Sequence, residues 1–194
     1  MRTIFLTPAI AALALAACGS GNNDDGSGAT TAPMNDVTAD ASAPISAEDA
    51  ATVPTGAQEF VDKMAAGDQF EIESSKLATT MSKNASVKEF AAQMIQAHTS
   101  STADLKSVLA SMSNAPTPNP ALNPSQQADL AALKAAGEGF DKMYVDKQTT
   151  AHNQALALLQ GYAASGDAQP LKDFAIKTSE IVESHREMLK KISP

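Results

Sequence analysis

Three histidines, His98, His152 and His185, carry the chemistry this 194-residue sequence offers. Neutral imidazole is a ligand for iron, zinc, copper and manganese alike, and each of the three falls on a different predicted helix with its face toward a common core. His98 lies in a stripe with Val87, Ala91, Met94, Leu105 and Leu109 at 100° per residue. His185 is central among Phe174, Thr178, Ile181, Val182 and Ile192, and His152 flanks an apolar face on the line of Asp141, Val145 and Gln148. Of the two acids Glu71 and Glu73, Glu71 is the inward one, sharing a face with Phe60, Gly67, Ser74 and Ala78. The candidate ligands are therefore Glu71, His98, His152 and His185, with Asp141, Tyr144 and Gln148 as hydrogen-bonding groups behind them. The alternative use of the same residues is a buried polar network that fixes helix register through Glu71, Asp141, Tyr144, Thr178 or Gln148. A small-ligand pocket or a pH-sensing histidine are further uses.

Counting residues from each helix end, at about 1.5 Å per residue, places Glu71, His98 and His152 about 12 residues in and so in one layer. The same count leaves His185 about 7 residues from its end, a turn or more from that layer. A ferritin-type di-iron site takes about four carboxylates and two histidines, usually with a Glu three residues before each His. Here Ile95 and Val182 occupy those positions, and Glu180 and Glu183 point away, which argues against di-iron oxidation chemistry. No catalytic residue is assigned. Ser100, Ser101 and Thr102 beside His98 lack the ordered acid of a triad, and the eight methionines are spread as core filling rather than clustered as ligands.

Four long amphipathic stretches must position these groups. The first runs from about Ala57 to Lys83, with Phe60, Met64, Phe70, Leu77 and Met81 along one side. Ser86-Val87-Lys88-Glu89 reads as a capping box opening the second, which stops near Ser113 before three alternating prolines. Asn123-Pro124-Ser125-Gln126 restarts helix to about Ala136, and Gly137-Glu138-Gly139 breaks it. The third long helix is placed from Phe140 to Ala164. The fourth runs from about Ala168 to Ile192, with Pro170 in its first turn and Leu171, Phe174, Ile181, Val182, Met188, Leu189 and Ile192 facing one way.

The amino terminus gives an address. Arg2 precedes an apolar run from Ile4 to Ala17, a secretory signal peptide too short and Ala-rich to remain as a spanning helix. Leu15-Ala16-Ala17-Cys18 resembles the lipobox of bacterial lipoproteins, which implies cleavage before Cys18, acylation of its thiol (palmitate among the acyl groups), and a membrane contact made by lipid alone. With Gly19 and Ser20 after the Cys rather than Asp, the same resemblance implies sorting to the periplasmic face of an outer membrane. Residues 18–56 are mostly Gly, Asn, Asp, Ser, Thr, Ala and Pro, with hardly any large apolar residue, six acids and no base, a disordered tether. Residues 57–194 form the folded domain. Removing Arg2 and the six tether acids from 14 basic and 22 acidic residues leaves 13 against 16, without a basic run, so nucleic acid is excluded as a partner. With Cys18 the only cysteine, neither disulfides nor thiolates hold the domain.

Two short echoes relate the halves: Glu59–Met64 recurs loosely as Gly139–Met143, and Val87–Ala91 as Leu171–Ala175. Paired hairpins joined by the long Asn114–Gly139 crossover give an all-α, ferritin-like four-helix topology. The order Phe60…Glu71-Ile72-Glu73…Lys76-Leu77-Ala78, Val87-Lys88-Glu89-Phe90-Ala91…Met94…His98-Thr99, Phe140-Asp141…Tyr144-Val145…His152 and a last helix with His185 resembles a bacterial family. That family is the ferritin-like "predicted outer membrane protein" family, domain-of-unknown-function family 4142. The resemblance implies an exported ferritin-like bundle and no established activity. Two functions follow: a non-catalytic envelope interaction or stress module, or a metal-binding or metal-dependent redox bundle using the core histidines and Glu71.

Overall fold

The computed structural model describes residues 54–194. The expected signal peptide over 1–17, Cys18 and nearly all of the tether over 18–56 lie outside the described residues. Five α-helices follow one another: α1 (Ala57–Met81), α2 (Ala85–Ala110), α3 (Pro124–Ala135), α4 (Phe140–Ser165) and α5 (Gln169–Leu189), with a single 3-10 turn over Gly137–Gly139. No strand occurs among the described residues, and none of these helices is long and apolar enough to cross a membrane.

Local chemistry sets the breaks. A short connection over 82–84 separates α1 from α2, and the helix start predicted at Ser86 moves to Asn84, whose side chain accepts the Ser86 amide at 2.9 Å. Asn84 adopts the extended backbone of an N-cap, which places Ser86 inside the first turn and leaves no capping box there. At Asn123, where the sequence restarts helix, the cap is a full capping box, with reciprocal bonds to Gln126 of 2.9 and 3.0 Å and Pro124 at the first helical position. The proline segment before it runs beside α1, whose side chains serve its backbone: Gln58 donates to the Thr117 carbonyl at 2.8 Å and Asp62 accepts from the Asn119 amide at 2.9 Å. Gly137, at φ 56°, takes the left-handed conformation that turns α3 into α4.

α1 packs on α2 and α4 on α5, as two hairpins; α1 also lies against α4, and α2 against α5, while α3 rests on α1 and α4. Two apolar clusters result. One joins Phe60, Met64, Leu105, Leu109, Leu159, Tyr162, Leu171 and Phe174. There Phe60 stacks on Tyr162 at 3.9 Å between ring centroids and meets Phe174 edge-on at 6.5 Å. The other joins Phe70, Phe90, Met94, Leu130, Leu133, Phe140, Tyr144 and Leu189. On each long helix the two clusters use opposite ends; the buried polar residues Asp68, His98, Gln148, His152 and His185 fall between them, with Glu71 and Ser74 just inside the second cluster and Thr178 just inside the first. Ile181, predicted to face the core, is 51% exposed instead. It lies about 80° from the centre of the stripe formed by Leu171, Thr178, Val182 and Leu189, far enough to leave the core while sharing its periodicity.

Candidate metal centre

The three histidines meet. Ring centroids are 5.4 Å apart for His152 and His185, 5.8 Å for His98 and His152, and 5.8 Å for His98 and His185. One potential ligand atom from each lies within 4.8 Å of the other two. His185, placed a turn or more away by counting from free helix ends, thus belongs to the layer. Height measured from the shared turn of the hairpin accounts for this. From His152 to the end of α4 at Ser165, and from the start of α5 at Gln169 to His185, the helix rises by similar amounts, about 20 Å and about 24 Å. Antiparallel neighbours at such similar heights share a layer, whatever the lengths of their far ends.

The turn between α1 and α2 brings in a residue that helical phase alone does not single out. The rise from the start of α2 at Ala85 to His98 equals the rise from Asp68, not Glu71, to the end of α1 at Met81. Asp68 is 3% exposed; its Oδ1 is 2.8 Å from His98 Nδ1, and its Oδ2 accepts from Thr102 Oγ1 at 3.0 Å. Since a carboxylate only accepts, His98 donates from Nδ1, and its Nε2 is left buried without a partner. Such a carboxylate–histidine pair is the arrangement that fixes tautomer and ring orientation in metal sites.

His152 is oriented by its own helix. Its Nδ1 lies 2.9 Å from the carbonyl of Gln148, an acceptor, so the proton sits on Nδ1 and Nε2 presents a lone pair. That Nε2 is 3.3 Å from His185 Nδ1. In the metal-free tautomer His185 donates to it; with the His185 proton on Nε2 instead, two lone pairs face each other across 3.3 Å. Zinc–imidazole bonds of about 2.0–2.1 Å at a tetrahedral angle put neighbouring nitrogens about 3.3–3.4 Å apart, so this spacing suits an ion between them.

Glu71 flanks this group, facing the same cavity as His98 and His152. Its Oε1 is 3.7 Å from His152 Nδ1, on the side turned toward Gln148, and its Oε2 is buried and unpartnered. Gln148 meets the cluster through its backbone, while its side chain donates to Ser74 at 3.1 Å. Tyr144 pairs instead with Ser75 at 2.8 Å and packs on Phe90 and Phe140. Asp141, three turns before His152 on α4, keeps a buried Oδ1 without a partner.

The electrostatics divide the layer. Burial works against charge on His98, but the hydrogen bond to Asp68 and the charges of Glu71 and Asp68 outweigh it, so this imidazole holds its proton more tightly than usual. Burial, then the charge of His98, drives His152 down to about 3 and His185 to about 4, leaving both neutral and ready to ligate. Burial pushes Glu71 up to about 7, with His98 and Gln148 pulling it back. The donor set is three imidazoles with two carboxylates, Asp68 and Glu71, both on α1 and both beside a histidine. Glu180 and Glu183 lie off the core face, as their helical phase predicts, and both are exposed.

A cavity of about 310 Å³ opens on this layer, lined by Gly67, Phe70, Glu71, His98, His152 and Leu158 among others. A smaller one, about 90 Å³, is also lined by His98, together with Asp68, Ser101, Thr178 and His185.

Comparison with curated proteins and with solved structures gives no match. A family profile does match, over residues 42–192, and those residues include every side chain of the layer. The chain therefore belongs to the family described as "Domain of unknown function (DUF4142)".

Proposed function

We propose that this protein is an exported, lipid-anchored, ferritin-like four-helix bundle that binds one divalent transition-metal ion in its core through His98, His152 and His185. The observation that carries the reading is the pair of locked tautomers. Asp68 holds the Nδ1 proton of His98 and the Gln148 carbonyl holds that of His152, so Nε2 is the ligand atom of each neutral imidazole; that of His98 has no protein partner, and the second proton His98 holds is released as the ion binds. A buried acceptor left unsatisfied costs about 1–3 kcal/mol, which a bound ion removes. Three nitrogen donors without thiolate favour copper(II) or zinc over iron or manganese. With both carboxylates on α1, the set does not supply the four that di-iron oxidation chemistry uses.

Incubating tag-free protein with equimolar zinc, copper, iron and manganese, followed by desalting and elemental mass spectrometry, tests this. The expected result is one zinc or copper per chain, lost in His98→Ala with helical content unchanged. Substoichiometric metal in the wild type overturns it in favour of the second reading, a non-catalytic envelope module. That reading rests on the His185–His152–Gln148 hydrogen-bond chain, which ties α5 to α4 without any ion.

The anchor rests on the apolar run from Ile4 to Ala17 and on Leu15-Ala16-Ala17-Cys18. Cys18→Ser is expected to abolish acyl labelling and release the protein from the outer-membrane fraction; retention there with no acyl group would overturn it.

A further inference from the structure

The cavity of about 310 Å³ is lined by polar groups that include Lys63, Glu71, His98 and His152, and by apolar ones that include Phe70, Leu158 and Val182. Glu71 is 4% exposed and its Oε2 has no partner, although burial of an unpaired carboxylate oxygen is costly. His98, whose Nε2 is unpartnered as well, lines the same space. Gly67 leaves the approach open: a Cβ built there meets nothing within 4 Å. The volume is at the lower end of the range for small-molecule sites.

We infer that this cavity takes a small neutral hydroxyl compound, R–OH with an apolar R such as a phenol, an aliphatic alcohol or an organic hydroperoxide, whose oxygen completes the coordination of the ion held by the three histidines. The hydroxyl hydrogen satisfies Glu71 Oε2 while an oxygen lone pair faces the ion, and the apolar body lies against Phe70, Leu158 and Val182. At Glu71 itself a carboxylate would bring a second acceptor-only group and no hydrogen to share. Three protein ligands with an open fourth position is also how catalytic zinc sites differ from closed structural ones. This inference rests on the metal reading above.

The full chain loaded with cobalt(II) provides the test, with the visible spectrum reporting coordination and elemental analysis reporting metal content separately. Phenol is expected to shift the spectrum saturably, and anisole, which lacks the hydroxyl hydrogen, to leave it unchanged. Gly67→Leu, which fills the cavity, should abolish the phenol response at full cobalt occupancy. At about pH 8, above the range in which the Glu71 carboxyl keeps its proton, Glu71→Leu should weaken it by about tenfold or more, the loss of one buried hydrogen bond to a charged acceptor. Full cobalt binding with no response to phenol overturns this inference and leaves the metal site standing. A response equal in the wild type and both variants also overturns it. Failure to bind cobalt overturns the metal reading and this inference together.

Discussion

The two apolar clusters and the polar layer between them are built on the same helices by opposite rules. In the clusters every large group is matched: Phe60 is fully buried against Tyr162 and Phe174, and Phe140 and Phe90 enclose Tyr144, whose hydroxyl meets Ser75. The layer leaves Glu71 Oε2, His98 Nε2 and Gln148 Oε1 buried without partners, whereas beside the second cluster Asp141 Oδ1 is such an atom. Fully satisfied networks stabilise and partly satisfied ones do not. The ends therefore hold the fold, and the middle gives up stability to keep donor atoms free. That division is what a ligand-binding bundle requires, because binding sites need groups poised for something other than each other.

The largest expected effect attacks an end. Phe60→Ala should cost about 3–5 kcal/mol in urea denaturation, from lost burial and the cavity left against Tyr162 and Phe174. A loss no greater than that from changes in the layer would erase the distinction drawn between the regions. Next comes the ligand. Zinc at a hundredfold excess over its dissociation constant should raise stability by about 2.7 kcal/mol. Phe60→Ala should gain the same increment, since distant sites add, and His98→Ala should gain none. Equal zinc stabilisation of wild type and His98→Ala would remove His98 from the site.

How far the sequence reveals this follows from what each signal measures. Helical phase finds the faces: Glu71, His98, His152 and His185 are all buried, and Glu180 and Glu183 are kept off the core. Phase repeats at every turn, so it does not give height, and height decides which buried groups touch. Measured from uncertain helix ends, height pairs His98 with Glu71 and drops His185. Measured from the turns, which fix antiparallel neighbours directly, it pairs His98 with Asp68 and restores His185. Asp68 is hidden for another reason, since a lone acid three residues before Glu71 looks like part of a solvated face until its partner is known. At the start of α2, Ser86 satisfies the same local pattern as the true cap, Asn84, and so conceals it.

The pH dependence of the metal-free protein separates members of the layer. His152 and His185, at about 3 and 4 when folded against 6.5 in the unfolded chain, refuse protons that the unfolded chain binds. Their contribution to stability is complete above about pH 6.5 and is lost as pH falls toward 4. Glu71 has the opposite sign. Its carboxyl keeps a proton to about pH 7 that the unfolded chain releases near 4.5, so stability from this group falls as pH rises across that window. Glu71→Gln, which never ionises, should therefore be about 1–2 kcal/mol more stable than wild type above about pH 7 and show no gain below about 4.5. Urea midpoints from about pH 4 to 8 check both, and a gain independent of pH would show that Glu71 is not the titrating group.

The smallest effect is the most discriminating. Gly67 lies inside α1, where glycine costs about 0.5–1 kcal/mol relative to alanine, and a Cβ there has open space around it. Packing therefore gives no reason for its absence. Gly67→Ala should stabilise the protein by about 0.5–1 kcal/mol while narrowing the approach to Glu71 and His98. In an end cluster the same truncation of side chain would be a defect; in the layer it keeps a cavity open at the expense of helix stability. Thermal melts paired with the phenol titration distinguish these meanings. A gain in stability with weakened phenol binding places Gly67 in the access path, whereas a loss of stability would mean that the space beside it is filled in solution and that the layer is packed as tightly as the ends.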